Sequence, residues 1–215
     1  MKVLELFSGT GSVGKVAKKL GWEVVSLDLE LEADINIDIL DWDYKVFSPD
    51  TFDIVWASPP CVNYSKLQES HLGRNRNGKV FTKEMWKENM NESDKIVLKT
   101  LEIIKYFNPT LWFLENPQTG YLKTRDIMKD IPYYDVDYCM YSNWGYRKRT
   151  RIWTNKQNFK PLLCNKMCGN MVDGRHKENL GGRYLDKDNK VITKTICRYD
   201  KYRIPENLIY LLFEN

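Results

Sequence analysis

No apolar run in this chain approaches the length of a membrane span, and the opening apolar stretch stops at Gly9 after strand length. Neither a membrane-embedded protein nor a signal peptide is therefore expected. Cysteine is sparse: Cys61, Cys139, Cys164, Cys168 and Cys197 are odd in number and form no dense framework, which excludes a disulfide-stapled secreted scaffold. The expectation is a reduced, soluble, intracellular protein of the cytoplasm, nucleoid or nucleus. Charge is not extreme either; a net +4 permits a nucleic-acid partner without requiring one. What the chain does have is aromatic residues, at 13% with seven Trp. Most should fill a core, while any that reach the surface suit stacking on bases or sugars. At 215 residues there is room for one well-buried domain with a small insertion.

The chain is organised around 52–65, FDIVWASPPCVNYS. Residues 54–58 read as a short strand, apolar, β-branched or aromatic, that Pro59-Pro60 must end. Cys61 then sits just past the C-terminal end of a strand, where open parallel sheets bind ligands. It is either a nucleophile or a small buried apolar residue.

Residues 3–7 form a first strand, 8–12 a glycine turn, 13–20 a short helix closed by Gly21, and 22–27 a second strand ending in Asp28. Such a unit binds an adenosine moiety: the glycines let backbone approach the ligand, and the acid accepts ribose hydroxyls. The segment 9–15, GTGSVGK, also nearly fits a phosphate-binding loop, but Val16 stands where a magnesium-holding hydroxyl is needed. Further on, Asp38-Ile39 suits an adenine amine and ring face, or else belongs to a solvated acidic loop.

Residues 66–91 are polar and basic, carrying Arg74, Arg76, Lys79, Lys83 and Lys87, and read as a mobile loop able to close over a phosphate backbone. A helix is predicted over 93–107, capped by Ser93 and ended by Asn108-Pro109. A strand over 110–114 leads to Glu115-Asn116 at its end, followed by a short helix over 123–129 and a strand over 134–141. In 146–153, alternation puts Arg147, Arg149 and Arg151 on one side of a strand, where an anionic partner such as DNA would relieve their repulsion. The stretch 154–195 turns polar and irregular. There Cys164, Cys168 and His176 offer three zinc ligands, with Asp173, Cys139 or Cys197 able to supply a fourth, unless all are unrelated loop residues. An apolar helix opened by Pro205 returns the chain to the core.

In this order the pieces resemble the cytosine-5 DNA methyltransferases. LELFSGTGS at 4–12 is similar to that family's cofactor motif, Pro60-Cys61 with Tyr64-Ser65 to its nucleophile motif, and Glu115-Asn116 to its Glu-Asn pair. Arg147, Arg149 and Arg151 resemble a Q-x-R-x-R motif with Arg147 in place of glutamine, and YRIPENL at 202–208 resembles the last motif, whose helix packs beside the first.

The resemblance implies an α/β fold: a doubly wound, Rossmann-like methyltransferase domain with a mostly parallel sheet over 1–155 and 196–215, and a small irregular insertion at 156–195 for target recognition. It implies S-adenosylmethionine bound by Phe7, Ser8, Gly9, Thr10, Gly11, Asp28, Asp38, Ile39 and Pro60. It implies DNA contacts from Ser65, Arg74, Arg76, Asn116, Arg147 and Arg151, and catalysis by Cys61, Glu115 and Arg149. Cys61 would add as thiolate to carbon 6 of a flipped cytosine, a protonated Glu115 would donate at ring nitrogen 3, and Arg149 would hold the base carbonyl or the nucleophile. Ser58 replaces a glycine and Val62 a glutamine of the family pattern, and the insertion is short. The shortness implies either a very short recognition site or recognition supplied by a partner protein. RNA stays open as a substrate. Other readings are a base-amine methyltransferase using Ser58-Pro59-Pro60, a catalytically silent nucleic-acid-binding module, or a nucleotide-phosphate enzyme.

Overall fold

The computed structural model describes residues 1–76, 78–181, 194–197 and 199–214. Lys2–Leu6 (β1) and Glu23–Asp28 (β2) pair in parallel, joined by the helix Ser12–Lys19 (α1), and Ile35–Asn36 (β3) adds to β2. Ile54–Ala57 (β4) pairs with the other side of β1. A small hairpin, Asn75–Arg76 (β5) with Lys79–Val80 (β6), precedes the long helix Lys83–Phe107 (α2). Leu111–Pro117 (β7) then joins β4 in parallel, and Tyr133–Asp137 (β8) and Arg149–Thr154 (β9) follow. The sheet order is β3-β2-β1-β4-β7-β9-β8, with β9 antiparallel to both neighbours. Short pairs Met171–Val172 (β10) with Arg175–His176 (β11), and Glu178–Asn179 (β12) with Lys194–Thr195 (β13), lie before the last helix, Glu206–Phe213 (α3).

Both faces of the sheet are covered. Val13, Val16 and Ala17 of α1 and Leu208, Ile209 and Leu212 of α3 pack on one face with Val3, Ile54 and Trp56. Ile103, Ile104 and Phe107 of α2 pack on the other with Leu4, Leu6 and Val55. This is the expected doubly wound, mostly parallel α/β architecture, with the last helix beside the first. The chain order reverses between β1 and β4, so a crevice opens at their C-terminal ends. Trp42, Trp56, Trp86 and Trp153 are buried, so the aromatic excess mostly builds the core.

Several elements differ from expectation. The helix predicted over 93–107 starts ten residues earlier, at Lys83, with Thr82 as its cap accepting from the Met85 N–H at 3.2 Å. Ser93 is no cap; it is buried mid-helix and accepts from Asn63 Nδ2 at 2.9 Å. The residues expected as a mobile loop therefore comprise a 3-10 turn at Lys66–His71, the β5–β6 hairpin and the start of α2. The helix expected over 123–129 is two 3-10 turns, and the strand expected over 134–141 ends at Asp137.

Glu5, buried in β1, explains the near-fit to a phosphate loop. Its two carboxylate oxygens accept from the Val13 and Gly14 N–H groups at 3.1 and 2.8 Å, satisfying the first turn of a helix that has no side-chain cap. A Cβ at Gly14 would lie 2.7 Å from Glu5 Oε2, so glycine is required for this approach and not for a triphosphate. Burial outweighs the two N–H donors and pushes the Glu5 carboxyl up from 4.5 to about 7. The folded chain thus holds this proton more tightly than the unfolded chain does. Stability supplied by Glu5 is present below its unfolded value and lost as pH rises to about 7. In urea unfolding, the stability of wild type relative to Glu5→Gln should fall by up to about 3 kcal/mol across that window. A difference independent of pH would refute it.

Candidate active site

One wall of the crevice is the glycine turn after β1. Phe7, Gly9 and Gly11 all have left-handed φ, at 57°, 54° and 64°. For phenylalanine this is strained, as residues at ligand clamps often are. Asp28, at the end of β2, holds the turn: Oδ2 accepts from Gly9 N–H at 2.8 Å, and Oδ1 from the Glu30 and Leu31 N–H groups at 2.9 Å each. Ser8 is buried, and Thr10 Oγ1 lies 3.0 Å from Ser12 Oγ, which accepts from Ile204 N–H at 3.1 Å. Asp38 is half-buried and turns its carboxylate onto Leu40 N–H at 2.9 Å. Ile39 is enclosed in the core beside Leu27 and Trp42. Its side chain is packed in the core rather than open to solvent.

The other wall follows β4. Pro59 is buried, Pro60 is exposed and Cys61 is half-buried. Burial pushes the Cys61 thiol up; the Lys148 ammonium opposes that and the Glu115 carboxylate adds to it. Glu115 is buried in β7, and both its contacts fall on Oε1: Tyr138 Oη donates at 3.1 Å and Lys148 Nζ lies 3.3 Å away. Beside Cys61 a cavity of about 330 Å³ is lined by Ser65, Leu67, Pro117 and Gly120. Tyr64 fixes the turn between them, since its carbonyl accepts from Tyr121 N–H at 2.7 Å and its hydroxyl donates to Asp94 of α2 at 2.8 Å. Arg125 Nε closes that network on Asp94 at 2.9 Å.

Over its whole length the chain is 41% identical to a protein of Frog virus 3 (isolate Goorha) named "Probable DNA (cytosine-5)-methyltransferase", covering 99% of that protein. The chain belongs to the DNA (cytosine-5)-methyltransferase family. No family model matches it. Among solved structures, S. pombe Dnmt2 methyltransferase aligns with 76% of this chain at 15% identity and a TM-score of 0.44. A Spodoptera frugiperda DNMT2 variant aligns with 75% at 19% identity and 0.42. The chain spans about half the length of each, 51% and 53%.

In this methyltransferase the structure brings Cys61 and Glu115 together at neighbouring strand ends, but it does not bring Arg149 to them. Arg149 lies on the opposite sheet face in a bidentate pair with Asp137, at 3.0 and 2.7 Å, and Arg151 pairs likewise with Asp135 at 2.8 and 2.9 Å. The anionic partner expected for these arginines is thus supplied across the β8–β9 ladder, where Asp137 and Asp135 stand directly opposite. Arg147, two residues before β9, is exposed. Asn116, expected at DNA, is 1% exposed and donates through Nδ2 to the Pro59 carbonyl at 2.9 Å. Ser65 accepts from Leu67 N–H at 3.3 Å and caps the 3-10 turn. Arg74 is exposed beside the β5–β6 hairpin; Arg76 is in it, with its side chain outside the described part.

Cys164, Cys168 and His176 do converge, and the fourth member is Cys139: one ligand atom from each lies within 4.8 Å of the others. Cys197 is exposed and donates to Asp200 at 3.0 Å, and Asp173 sits in the turn between β10 and β11; neither joins the group. Among the described residues no helix is long and apolar enough to cross a membrane.

Two site residues escaped the sequence reading, Tyr138 and Lys148. The signal for Lys148 was the same alternation that groups the arginines: it shares a side with Ile152, which stands opposite Glu115. If Lys148 is the cation that tunes the nucleophile, Lys148→Met should raise the Cys61 thiol further. Iodoacetamide alkylation of the Cys61 peptide, followed by mass spectrometry against pH, should shift to higher pH in Lys148→Met and stay put in Arg149→Lys. The reverse pattern would return the role to Arg149.

Proposed function

We propose that this methyltransferase transfers a methyl group from S-adenosylmethionine to carbon 5 of a flipped cytosine in DNA, through a covalent Cys61 adduct. The observation that carries this reading is that Cys61 and Glu115 follow neighbouring strands, β4 and β7, with Lys148 Nζ 3.3 Å from Glu115 and its charge acting on the Cys61 thiol. Carbon 5 of cytosine is too weak a nucleophile to take a methyl group directly. A thiolate adding at carbon 6 makes it nucleophilic, and negative charge gathers near ring nitrogen 3 until carbon 5 takes the methyl. Loss of the carbon 5 proton to water then breaks the Cys61–carbon 6 bond and frees the thiolate. Tyr138 and Lys148 occupy Glu115 Oε1, which leaves Oε2 as the oxygen through which Glu115 would donate a proton to ring nitrogen 3. Lys148 lowers the cost of forming the Cys61 thiolate in a half-buried site.

S-adenosylmethionine, when bound, supplies the electrophilic methyl group. The residues present fit it: the left-handed turn at Phe7, Gly9 and Gly11 leaves backbone open to a ligand, and Asp28 stands at the strand end where ribose hydroxyls are accepted. Asp28 spends three of its acceptor sites on backbone N–H groups, so it shapes the turn as well as the ribose pocket. Ser65 lines the cavity beside Cys61 and Arg74 stands exposed by the hairpin, where they would meet the DNA. Arg76 is in the same hairpin, and Arg147, whose charge acts on His176, would meet DNA from the side of the insertion. The insertion at 156–195 is the target-recognition segment, and its brevity fits a very short site or a partner protein that adds specificity.

DNA carrying 5-fluorocytosine tests the covalent step, because fluorine cannot leave as a proton does. With S-adenosylmethionine present, the protein should form an adduct that survives denaturing gels, and Cys61→Ser should form none. Methyl transfer without any adduct would point to base-amine methylation, and binding with neither would mark a silent module.

A further inference from the structure

The cysteine and histidine group on the far side of β8 is not used by the methyl-transfer reading and stands at the opposite face from Glu115. We propose that Cys139, Cys164, Cys168 and His176 bind one structural zinc ion, which fastens the insertion to the edge of the catalytic sheet.

The spacings suit a tetrahedral site. Cys164 Sγ lies 3.5 Å from Cys168 Sγ and 3.7 Å from His176 Nε2, and Cys168 Sγ lies 3.3 Å from His176 Nε2. Zinc bonds of about 2.3 Å to sulfur and about 2.0 Å to nitrogen at tetrahedral angles put sulfurs about 3.8 Å apart and sulfur and nitrogen about 3.6 Å apart. A disulfide would bring two sulfurs to about 2.05 Å, and all five cysteines are free. Four protein ligands fill a tetrahedron, the closed pattern of a structural site, unlike the open one of a catalytic metal.

The four come from three separate pieces of chain. Cys139 is on the turn that follows β8, Cys164 and Cys168 are on an irregular turn, and His176 is on β11. Cys139 and Cys164 are buried, Cys168 and His176 half-buried, as suits a site shielded from chelation by solvent. The Lys166 N–H donates to Cys164 Sγ at 3.3 Å, a contact that favours thiolate over thiol. Three thiolates and a neutral imidazole around a divalent ion leave the site with one net negative charge, and binding releases the thiol protons.

The site also touches the β8–β9 ion pairs. Asp137 accepts from Cys164 N–H at 2.8 Å with the same oxygen, Oδ2, that Arg149 Nη2 holds at 2.7 Å. Asn170, buried, adds polar clamps from the same loop to the Cys139 and Ser142 carbonyls at 2.9 and 2.8 Å. A metal here would therefore fix the insertion relative to Arg149 rather than act on the methyl group. In a chain with so short an insertion, that substitutes a metal for the apolar core a larger domain would have.

Full-length protein made with zinc supplied should carry close to one zinc per chain by metal analysis. Cobalt exchanged into it should show the visible bands of a tetrahedral thiolate site. Cys168→Ser, at a half-buried ligand, should lose the metal, and Cys197→Ser should keep it. Chelation should speed hydrogen exchange at 162–177 and leave peptides of β1 and β4 unchanged, a readout independent of methyl transfer. Protein without zinc, a Cys164–Cys168 disulfide in peptides mapped without reductant, or zinc retained by Cys168→Ser would each overturn the assignment.

Discussion

The side-chain amide of Asn116 donates to the carbonyl of Pro59 across 2.9 Å, at the point where β4 stops because two prolines follow it. Asn116 is the neighbour of Glu115, and Pro59 is two residues from Cys61, so this one buried bond sets how the two reactive side chains face each other. It also carries a cost: Asn116 Oδ1 is buried without a partner among the described residues, and burying an unpaired carbonyl oxygen costs about 1–3 kcal/mol. A group left unsatisfied in a core is retained where geometry matters more than stability. Chain order reverses between β1 and β4, so the bond from β7 to the end of β4 braces one wall of the crevice the fold creates.

Around that bond the molecule separates two tasks onto the two faces of one sheet edge. Lys148 and Glu115 face one way, toward α1, α3 and Cys61. Arg149 and Arg151 face the other, neutralised by Asp137 and Asp135, beside the cysteine and histidine group. Pairing the arginines within the sheet leaves Lys148 as the cation whose charge acts on the thiol. The nucleophile's turn is braced from a third direction by Tyr64, Asp94 and Arg125, so Cys61 stands on rigid structure rather than on a loose loop.

Much of this was legible in the chain itself. The glycine turn, the strand ended by prolines, Asp28 and Glu115 all sit where their local patterns put them, because strand ends and prolines impose local rules. The first half of α2 was not legible, since before Val97 its buried face shows only Trp86 and the polar Ser93, and its N-terminal turns are polar. The arginine pairs were misread for a different reason. Their partners are supplied by register between β8 and β9, and no local pattern reports which acid stands opposite a base. For the fourth ligand the sequence offered Asp173, Cys139 or Cys197, and only the fold selects Cys139, which lies twenty-five residues before Cys164.

The central claim, that the crevice carries methyl transfer to a cytosine carbon, is tested most directly by the identity of the product. Purified protein would be incubated with mixed-sequence duplex DNA and S-adenosylmethionine labelled with deuterium in its methyl group. The DNA would then be digested to nucleosides and read by mass spectrometry. The account predicts the label in 5-methylcytosine. Label in N4-methylcytosine or N6-methyladenine, or none in DNA from protein that binds the cofactor, would contradict it.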